Sequence, residues 1–246
     1  MPLFVIGSLR VYFAHCPKAG GSSLESFLTA HSESIKLLDR GWNKEWRRKG
    51  ISHVDGSSSP QHLSWDEASA RIGVRPDVMF TVVRDPLERI ISEYRYQRAK
   101  RHLYPHLRFG SFSSWLEIVL AASRYAPNLC DNHIRPQVDF VPDANIEVFN
   151  LENGFDDVVA YLSRTVGTPR NGTIPHELKS TEVARPLIAR QDAQLIHEYY
   201  QADYRRFGYS PPNLDTLPND RKRVARRIAA KFLARPMAAL YQAGRL

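Results

Sequence analysis

The chain has 246 residues, of which 43% are hydrophobic, and this is enough for one sizeable α/β core. Its formal net charge of +8 favours an anionic partner, such as a nucleotide, an acidic glycan, nucleic acid or a membrane surface. The two cysteines, Cys16 and Cys130, are too few for a disulfide framework, which excludes the disulfide-rich secreted proteins and favours a reducing compartment.

The N-terminal segment and the hydropathy predict neither secretion nor membrane insertion. Residues 1–14 are apolar only in patches and lack the basic leader and the small-residue cleavage site of a signal peptide. No stretch reaches the roughly 20 consecutive apolar residues that span a bilayer. We therefore expect a cytoplasmic protein, either soluble or peripheral at the inner membrane face.

Strands and helices are predicted to alternate along the chain. A β-branched and aromatic run at residues 11–15 ends in a Pro/Gly-rich loop, and helical spacing follows at 22–30. The apolar run at 78–83 has the length of a buried parallel strand, and a helix starts after it with Asp85 as N-cap and Pro86 in first position. Further elements are predicted as helices at 65–72, 113–123, 155–166 and 191–207 and as a strand at 146–150. This order predicts an α/β fold with a mainly parallel sheet flanked by helices.

The loop after the first strand, at residues 15–23, has the features of an anion-binding site. It lies before a helix N-terminus, where backbone N–H groups and the helix dipole favour a negative charge. Gly20 and Gly21 let the backbone close around tetrahedral oxygens, and Lys18 adds a mobile positive charge. A Walker A loop places its lysine after the glycines, whereas here the lysine comes first. An ordinary tight Gly-Gly turn is the alternative interpretation.

Two strings resemble the nucleotide-binding segments of sulfotransferases that use 3'-phosphoadenosine 5'-phosphosulfate (PAPS). The order Pro-Lys-Ala-Gly-Gly-Ser-Ser at residues 17–23 resembles their loop around the 5'-phosphosulfate, especially in carbohydrate-type and bacterial members. Residues 82–94 resemble their segment that holds the 3'-phosphate, with Arg84 and Ser92 as the clamp. A guanidinium and a hydroxyl suit a phosphate with nearly two negative charges. An ordinary strand-to-helix junction is the alternative for this second string.

The resemblance implies a P-loop NTPase-like sulfotransferase fold over residues 1–212, with PAPS as cofactor and adenosine 3',5'-bisphosphate as product. The family usually has Thr where Ala19 and Ser22 stand, so the first loop departs slightly from the pattern. Lys179 and Ser180 resemble part of the closing segment that folds over the nucleotide. The implied cofactor-binding residues are Lys18, Ala19, Gly20, Gly21, Ser22, Ser23, Arg84, Ser92, Lys179 and Ser180.

Two residues are predicted to carry the chemistry, and no metal is expected. Sulfuryl transfer needs a base for the acceptor hydroxyl and a cation for the charge that develops on the leaving group, and Lys18 is the predicted cation. His62 is the predicted base, because His-Leu-Ser at residues 62–64 resembles the stretch of carbohydrate-type relatives that deprotonates the acceptor. An unperturbed imidazole titrates at about pH 6.5, which suits removal of a proton from the acceptor hydroxyl. His53 is the reserve candidate, and a surface-loop histidine is the alternative for His62.

A polar segment at residues 131–137 resembles another recurring part of the same family, which usually has Trp where Ile134 stands. We expect it to border the acceptor or nucleotide pocket. His133 is therefore a candidate substrate-binding residue, together with His53, and a packed structural histidine is the alternative. The acceptor that the resemblance implies is a hydroxyl of a carbohydrate or glycolipid.

The C-terminal segment, residues 213–246, is predicted as a basic amphipathic tail outside the domain. Its most basic stretch has seven Lys or Arg among fifteen residues. Val224, Ile228 and Phe232 recur at every fourth position of a helix that is expected to bend or end near Pro236. The alternatives are contact with an anionic membrane surface, packing of these apolar residues on the domain, and binding of a polyanionic glycan.

Two other functions are compatible with the sequence. A nucleotide-dependent kinase shares the strand, Gly-rich loop and helix, but the order of lysine and glycines and the lack of a clear magnesium-holding Asp count against it. A non-catalytic polyanion-binding protein would use the basic surface. No recognised nucleic-acid module or aromatic-basic interleaving supports that function, and no nucleic-acid partner is expected.

Overall fold

The computed structural model describes residues 1–38, 58–100, 110–143, 145–169, 174, 183–220 and 222–243. Contacts between these residues divide the chain into two compact units. The first unit holds the described residues of 1–43, 59–84 and 137–179. The second holds those of 44–58, 85–136 and 180–246.

The described strands form one mixed sheet in the first unit. They are β1 (Leu3–Ile6), β2 (Leu9–His15), β3 (Ser34–Lys36), β4 (Val78–Val83) and β5 (Glu147–Asn150). The strand order is β3-β1-β2-β4-β5, with parallel pairing from β2 to β4 and from β4 to β5. β1 pairs antiparallel with both β2 and β3, so four of these strands share one direction. The prediction of an α/β fold with a mainly parallel sheet is confirmed for the described residues.

The described α-helices, in chain order, are α1 (Gly21–Ala30), α2 (Trp65–Ile72), α3 (Pro86–Ala99), α4 (Phe112–Ala122), α5 (Asp156–Val166), α6 (Arg190–Tyr199), α7 (Gln201–Phe207) and α8 (Arg223–Gln242). Capping explains where several of them begin. Ser64 and Glu67 form a complete capping box at α2. The carboxylate of Asp85 accepts a hydrogen bond from the N–H of Glu88 at 3.0 Å, which confirms the predicted N-cap of α3.

The core of the first unit consists of the apolar side chains of the central strands and of two helices. Phe13 of β2 stacks on Phe80 of β4 with ring centroids 5.0 Å apart. Leu24 of α1 and Val158 of α5 are fully buried in the same cluster. Thr81, which is also fully buried, donates its hydroxyl to the carbonyl of Ala14 at 2.7 Å, so its polar atom is satisfied between the two strands.

The core of the second unit is largely aromatic and helical. Tyr94 of α3 packs against Trp115 of α4, with ring centroids 5.2 Å apart. Tyr200, between α6 and α7, is fully buried and donates its hydroxyl to the carbonyl of Ile134 at 2.7 Å. Ala234 of α8 belongs to the same cluster. Residues 213–246, as far as described, therefore share a unit with the helices before them, and the predicted boundary after residue 212 stays a prediction.

One predicted helix is wrong, and one alternative for another helix is excluded. The single helix predicted at 191–207 is two helices, α6 and α7, because the backbone of Tyr200 leaves helical geometry where its ring is anchored in the core. α8 continues through Pro236, so the helix does not end there. Both Pro236 and Phe232, whose carbonyl loses its helical partner, are exposed, so water can satisfy that carbonyl.

The side of α8 that packs does not include the predicted apolar row. Val224, Ile228 and Phe232 were one alternative for the packing face, but their side chains are 73%, 52% and 77% exposed. The residues that face the core instead are Ala234, Met237, Ala238 and Tyr241. The four-residue periodicity of the sequence pointed to the larger apolar residues as a packing face. Close packing of this helix on α4 instead favours alanines at the contact.

Candidate active site

The predicted anion loop lies at the carboxyl end of β2, between His15 and the first turn of α1. Lys18 adopts a left-handed backbone with φ of 67°, which is unusual for a residue with a side chain and bends the loop sharply. Gly20 follows with φ of 80° and caps α1. Lys18 and Ser22 are half-buried, whereas Ala19 and Ser23 are buried. The first backbone N–H groups of α1 thus lie beside a lysine and a serine that solvent still reaches.

The position of Gly21 requires a glycine because of the His15 ring, whereas the sequence predicted a role in closing the loop around an anion. A Cβ built on Gly21 would lie 2.0 Å from Nε2 of His15. The imidazole therefore packs directly against the backbone at the start of α1, and only glycine leaves room for it. Gly20 also leaves no room for a side chain, because a Cβ there would lie 2.7 Å from the ring of Phe155.

His15 and Glu25 form a buried hydrogen-bonded pair behind this loop. Nδ1 of His15 lies 2.6 Å from Oε1 of Glu25, and the two residues are 4% and 5% exposed. Burial by itself raises the pKa of the Glu25 carboxyl, but the imidazoles of His15 and His62 outweigh it and hold that pKa below its ordinary value. The Glu25 carboxylate is thus ionised at neutral pH and fixes the orientation of the His15 ring.

His62, the predicted base, is in the same unit and touches His15. It ends a short 3-10 turn, Pro60–His62, just before the capping box of α2. Its ring lies edge-on to the His15 ring with centroids 4.9 Å apart, and its Nδ1 is 3.1 Å from the hydroxyl of Ser59. His62 is half-buried. A ring held through Nδ1 presents Nε2 as its other titratable atom.

Arg84 lies at the carboxyl end of β4, which is adjacent to the carboxyl end of β2 because His15 pairs with Val82. Nη1 of Arg84 donates to the carbonyl of Lys18 at 3.4 Å, so the guanidinium reaches the anion loop. The amide of Gln137, which is fully buried, holds the Arg84 backbone on both sides. Arg84 N–H donates to Oε1 of Gln137 at 2.9 Å, and Nε2 of Gln137 donates to the Arg84 carbonyl at 2.8 Å. Two predicted cation sites, Lys18 and Arg84, are therefore brought together.

The remaining predicted residues lie in the second unit or outside the described residues. Ser92 lies on α3 and is half-buried. His133 is 8% exposed, and its Nδ1 lies 2.7 Å from Oε2 of the fully buried Glu93, which is the geometry of a packed, hydrogen-bonded histidine. A role in binding substrate stays a prediction. His53, Lys179 and Ser180 lie outside the described residues.

Arg89, which precedes Ser92 by one helical turn, has a structural role. It is 1% exposed, and its guanidinium donates to the carbonyls of His133 and Arg135 at 3.1 and 2.9 Å. It also lies over the ring of Tyr200 at 5.0 Å. Arg89 therefore holds the 133–135 segment in place within the second unit.

Three residues of this region, His15, Glu25 and Gln137, were not singled out from the sequence. A signal for Glu25 was present, because it is adjacent to Leu24 and close to Phe27 on a helix that buries these side chains. A carboxylate next to the buried stripe of an amphipathic helix is expected to have a partner. Nothing in the spacing identified His15 as that partner or linked Gln137 to Arg84.

The arrangement in the first unit places cationic groups and an imidazole in one region. Lys18, Arg84 and the start of α1 supply positive charge, and His62 supplies an imidazole whose ring contacts the buried His15–Glu25 pair. The protein-family model described as "Sulfotransferase family" matches residues 1–210 of the chain. The searches of curated proteins and of solved structures found no match.

Proposed function

Because the chain belongs to the sulfotransferase family and is thus an enzyme of sulfuryl transfer, we propose that its donor is PAPS and its acceptor a hydroxyl of a carbohydrate or glycolipid. The observation that carries the proposal is the contact of Arg84 with the Lys18 loop at the shared edge of β2 and β4. A donor with a phosphosulfate at one end and a 3'-phosphate at the other needs two cationic groups. The P-loop-like character of the fold is part of this proposal, and it is supported by the order of β2, loop and α1.

The loop is proposed to hold the 5'-phosphosulfate. Lys18 and the hydroxyl of Ser22 are half-buried, so they can meet an anion that enters from solvent. The backbone N–H groups around Gly20 and Gly21 add donors with fixed direction, which costs no reorganisation when the anion binds. Ala19 and Ser23 are buried, and their backbone N–H groups donate to the carbonyls of Cys16 and Gly20 at 3.3 and 3.2 Å, so these two residues fix the shape of the loop.

Arg84 is proposed to bind the 3'-phosphate. Its backbone is fixed by Gln137 on both sides, so only the side chain has to be ordered when the nucleotide binds. A guanidinium with two parallel N–H groups matches a phosphate better than an ammonium would. Ser92 as the hydroxyl of the same clamp, and Lys179 and Ser180 as further contacts, rest on the resemblance of their segments to the family.

The reaction follows from these roles. The acceptor hydroxyl attacks sulfur and transfers its proton to His62 as the new O–S bond forms. The bond between sulfur and the 5'-phosphate oxygen breaks, and adenosine 3',5'-bisphosphate leaves with that electron pair. Lys18 stabilises the negative charge that develops on this bridging oxygen. Glu25 and His15 support the His62 ring from behind and do not touch the substrate.

Fewer observations support the acceptor class than support the donor. The loop at 17–23 and the His-Leu-Ser string both resemble carbohydrate-type members of the family. His62 at the base position suits a sugar hydroxyl, whose proton has to be removed during attack.

The test is transfer of labelled sulfate from PAPS to a panel of glycans, glycolipids and simple alcohols. The proposal expects labelled sulfate ester on a glycan or glycolipid and release of one adenosine 3',5'-bisphosphate for each ester formed. Transfer confined to non-carbohydrate alcohols would contradict the acceptor class alone. Transfer of the γ-phosphate from ATP to the same panel, with none from PAPS, would contradict the donor as well.

A further inference from the structure

Helix α8 has one side packed in the core of the second unit. Ala230 and Ala234 are each 2% exposed, and Met237 and Ala238 are buried in the same face. Tyr241 ends this face, and its hydroxyl accepts a hydrogen bond from the N–H of Asp131 at 2.8 Å. This side of the helix is therefore packed within the second unit.

The other side of α8 exposes large apolar residues to solvent. Val224, Ile228 and Phe232 lie at four-residue spacing and are 73%, 52% and 77% exposed. Leu233 and Leu240, at 49% and 41%, widen the same surface toward the C-terminal end. Single exposed apolar residues are common on proteins, but a row along one helix is not.

The charges within the segment that carries this row all have one sign, and Asp220, just before it, pairs with Arg226. Residues 221–246 include eight Lys or Arg and no Asp or Glu. Arg227 and Lys231 are exposed and each directly precedes a residue of the row, Ile228 and Phe232. Long basic side chains beside an apolar row are the pattern of helices that lie in a membrane interface, with the stems in the apolar layer and the charges at the phosphates.

A second feature extends this basic and aromatic surface beyond the helix. The guanidinium of Arg235 lies over the ring of Tyr125 at 5.1 Å, and Tyr125 is 47% exposed. Tyrosine and arginine together are favoured at the depth of lipid headgroups. Tyr125 follows α4, so the surface includes two elements of the second unit.

We propose that this face of α8 binds the surface of an anionic lipid bilayer. Val224, Ile228 and Phe232 enter the boundary between headgroups and acyl chains, and Arg227 and Lys231 pair with lipid phosphates. A polyanionic glycan would satisfy the charges but leave the apolar row in water, so lipid is the occupant that matches both. Among the described residues no helix is long and apolar enough to cross a bilayer, so the contact is peripheral. This inference does not depend on the proposed reaction.

The test is co-sedimentation of the full chain with vesicles of phosphatidylcholine alone and with vesicles in which phosphatidylglycerol replaces part of it. The expected result is binding to the anionic vesicles only. Arg227→Gln/Lys231→Gln should weaken that binding on the order of 20-fold, since each basic residue near anionic lipid contributes about fivefold. Ile228→Ser/Phe232→Ser should weaken it about tenfold without a change in charge.

Matched controls lie elsewhere in the second unit. Leu187→Ser removes another apolar side chain that is 81% exposed, and Arg205→Gln/Arg206→Gln removes two exposed charges of α7. Both controls should bind as the wild type does. Because all the substituted side chains are exposed, the variants are expected to fold, and an unchanged melting temperature checks this.

Three outcomes would overturn the inference. One is equal binding to neutral and anionic vesicles, and another is wild-type binding by both α8 variants. The third is loss of binding in the charge variant with none in the apolar variant, since that pattern indicates a surface for soluble polyanions. Sedimentation needs no turnover, so its failure is distinct from a failure of the proposed sulfuryl transfer.

Discussion

The imidazole of His15 and the carboxylate of Glu25 meet at 2.6 Å in the interior of the first unit, directly behind the loop that carries Lys18. The pair joins the end of β2 to the second turn of α1 and lies against the ring of His62. One buried contact thus sets the position of the anion loop and of the candidate base together. Several consequences of this arrangement can be measured.

Glu25→Gln is expected to lower the free energy of unfolding by about 2 kcal/mol at neutral pH, because it removes a buried charge that His15 compensates. Since the folded-state pKa of Glu25 is lowered, its stabilising contribution is present above the ordinary carboxyl pKa of about 4.3 and is lost as the pH falls through the folded value. The difference between wild type and variant should therefore shrink below about pH 5. Urea unfolding over a pH series measures it. Glu33→Gln, at an exposed position of the same unit, is the control, and a difference that stays constant with pH would contradict the role of the charge.

Gly21→Ala is expected to destabilise the protein by about 2 to 3 kcal/mol and to impair activity, because the new methyl group would overlap the His15 ring. Gly110→Ala is a suitable control, since a Cβ there lies at an ordinary 3.4 Å from Ser114. In a His15→Ala background the same change at Gly21 should cost much less. Thermal and urea unfolding of the four variants test this coupling, and strictly additive effects would show that the two residues do not compete for space.

Gln137→Leu removes both hydrogen bonds that hold the Arg84 backbone and leaves the partner groups unsatisfied. We expect affinity for adenosine 3',5'-bisphosphate to fall about tenfold while the Arg84 side chain itself is unchanged. Gln137→Glu retains an acceptor for the Arg84 N–H but turns a carboxylate oxygen toward the Arg84 carbonyl and buries a negative charge, so it should lose at least as much affinity. Calorimetry of both variants decides the matter, and wild-type affinity in Gln137→Leu would mean that Arg84 needs no such support.

His62→Ala is expected to leave nucleotide affinity unchanged and to reduce turnover by roughly a hundredfold or more, as removal of a general base does. His31→Ala serves as the control, because His31 is a half-buried histidine of the same unit whose Nδ1 lies 2.8 Å from the carbonyl of Phe27 in α1. Turnover numbers and nucleotide affinities are measured on the same preparations. Wild-type turnover in His62→Ala would remove His62 as the base.

Local signals in the sequence predicted the parts of the fold that depend on local chemistry. The strand at 78–83 is confirmed at both ends, and Asp85 caps the helix after it, because a buried apolar run and a capping residue act within a few positions. β1 and β3 were not predicted. They are four and three residues long, and their antiparallel pairing is decided by neighbouring strands and not by their own pattern.

In the candidate site, too, the sequence predicted the local motifs but not the distant residues that position them. The loop with Lys18 and the strand end at Arg84 are contiguous motifs, and the sequence predicted both. The partners that position them come from distant parts of the chain. Gln137 is 53 residues from Arg84, and nothing in a single sequence indicates that this amide, and not another, closes on the strand end. The sequence of α8 alone also does not predict which face packs. That face depends on the shape of α4, on which α8 packs, and not on the size of the residues of α8.

The central claim is that Lys18 with its loop and Arg84 hold the two ends of one doubly phosphorylated adenosine. Titration calorimetry of adenosine 3',5'-bisphosphate against ATP with magnesium, on wild type, Arg84→Ala and the exposed control Arg75→Ala, tests it most directly. The account predicts selective binding of the bisphosphate, weakened at least about tenfold in Arg84→Ala and unchanged in Arg75→Ala. Equal or tighter binding of ATP, or full bisphosphate affinity in Arg84→Ala, would contradict it.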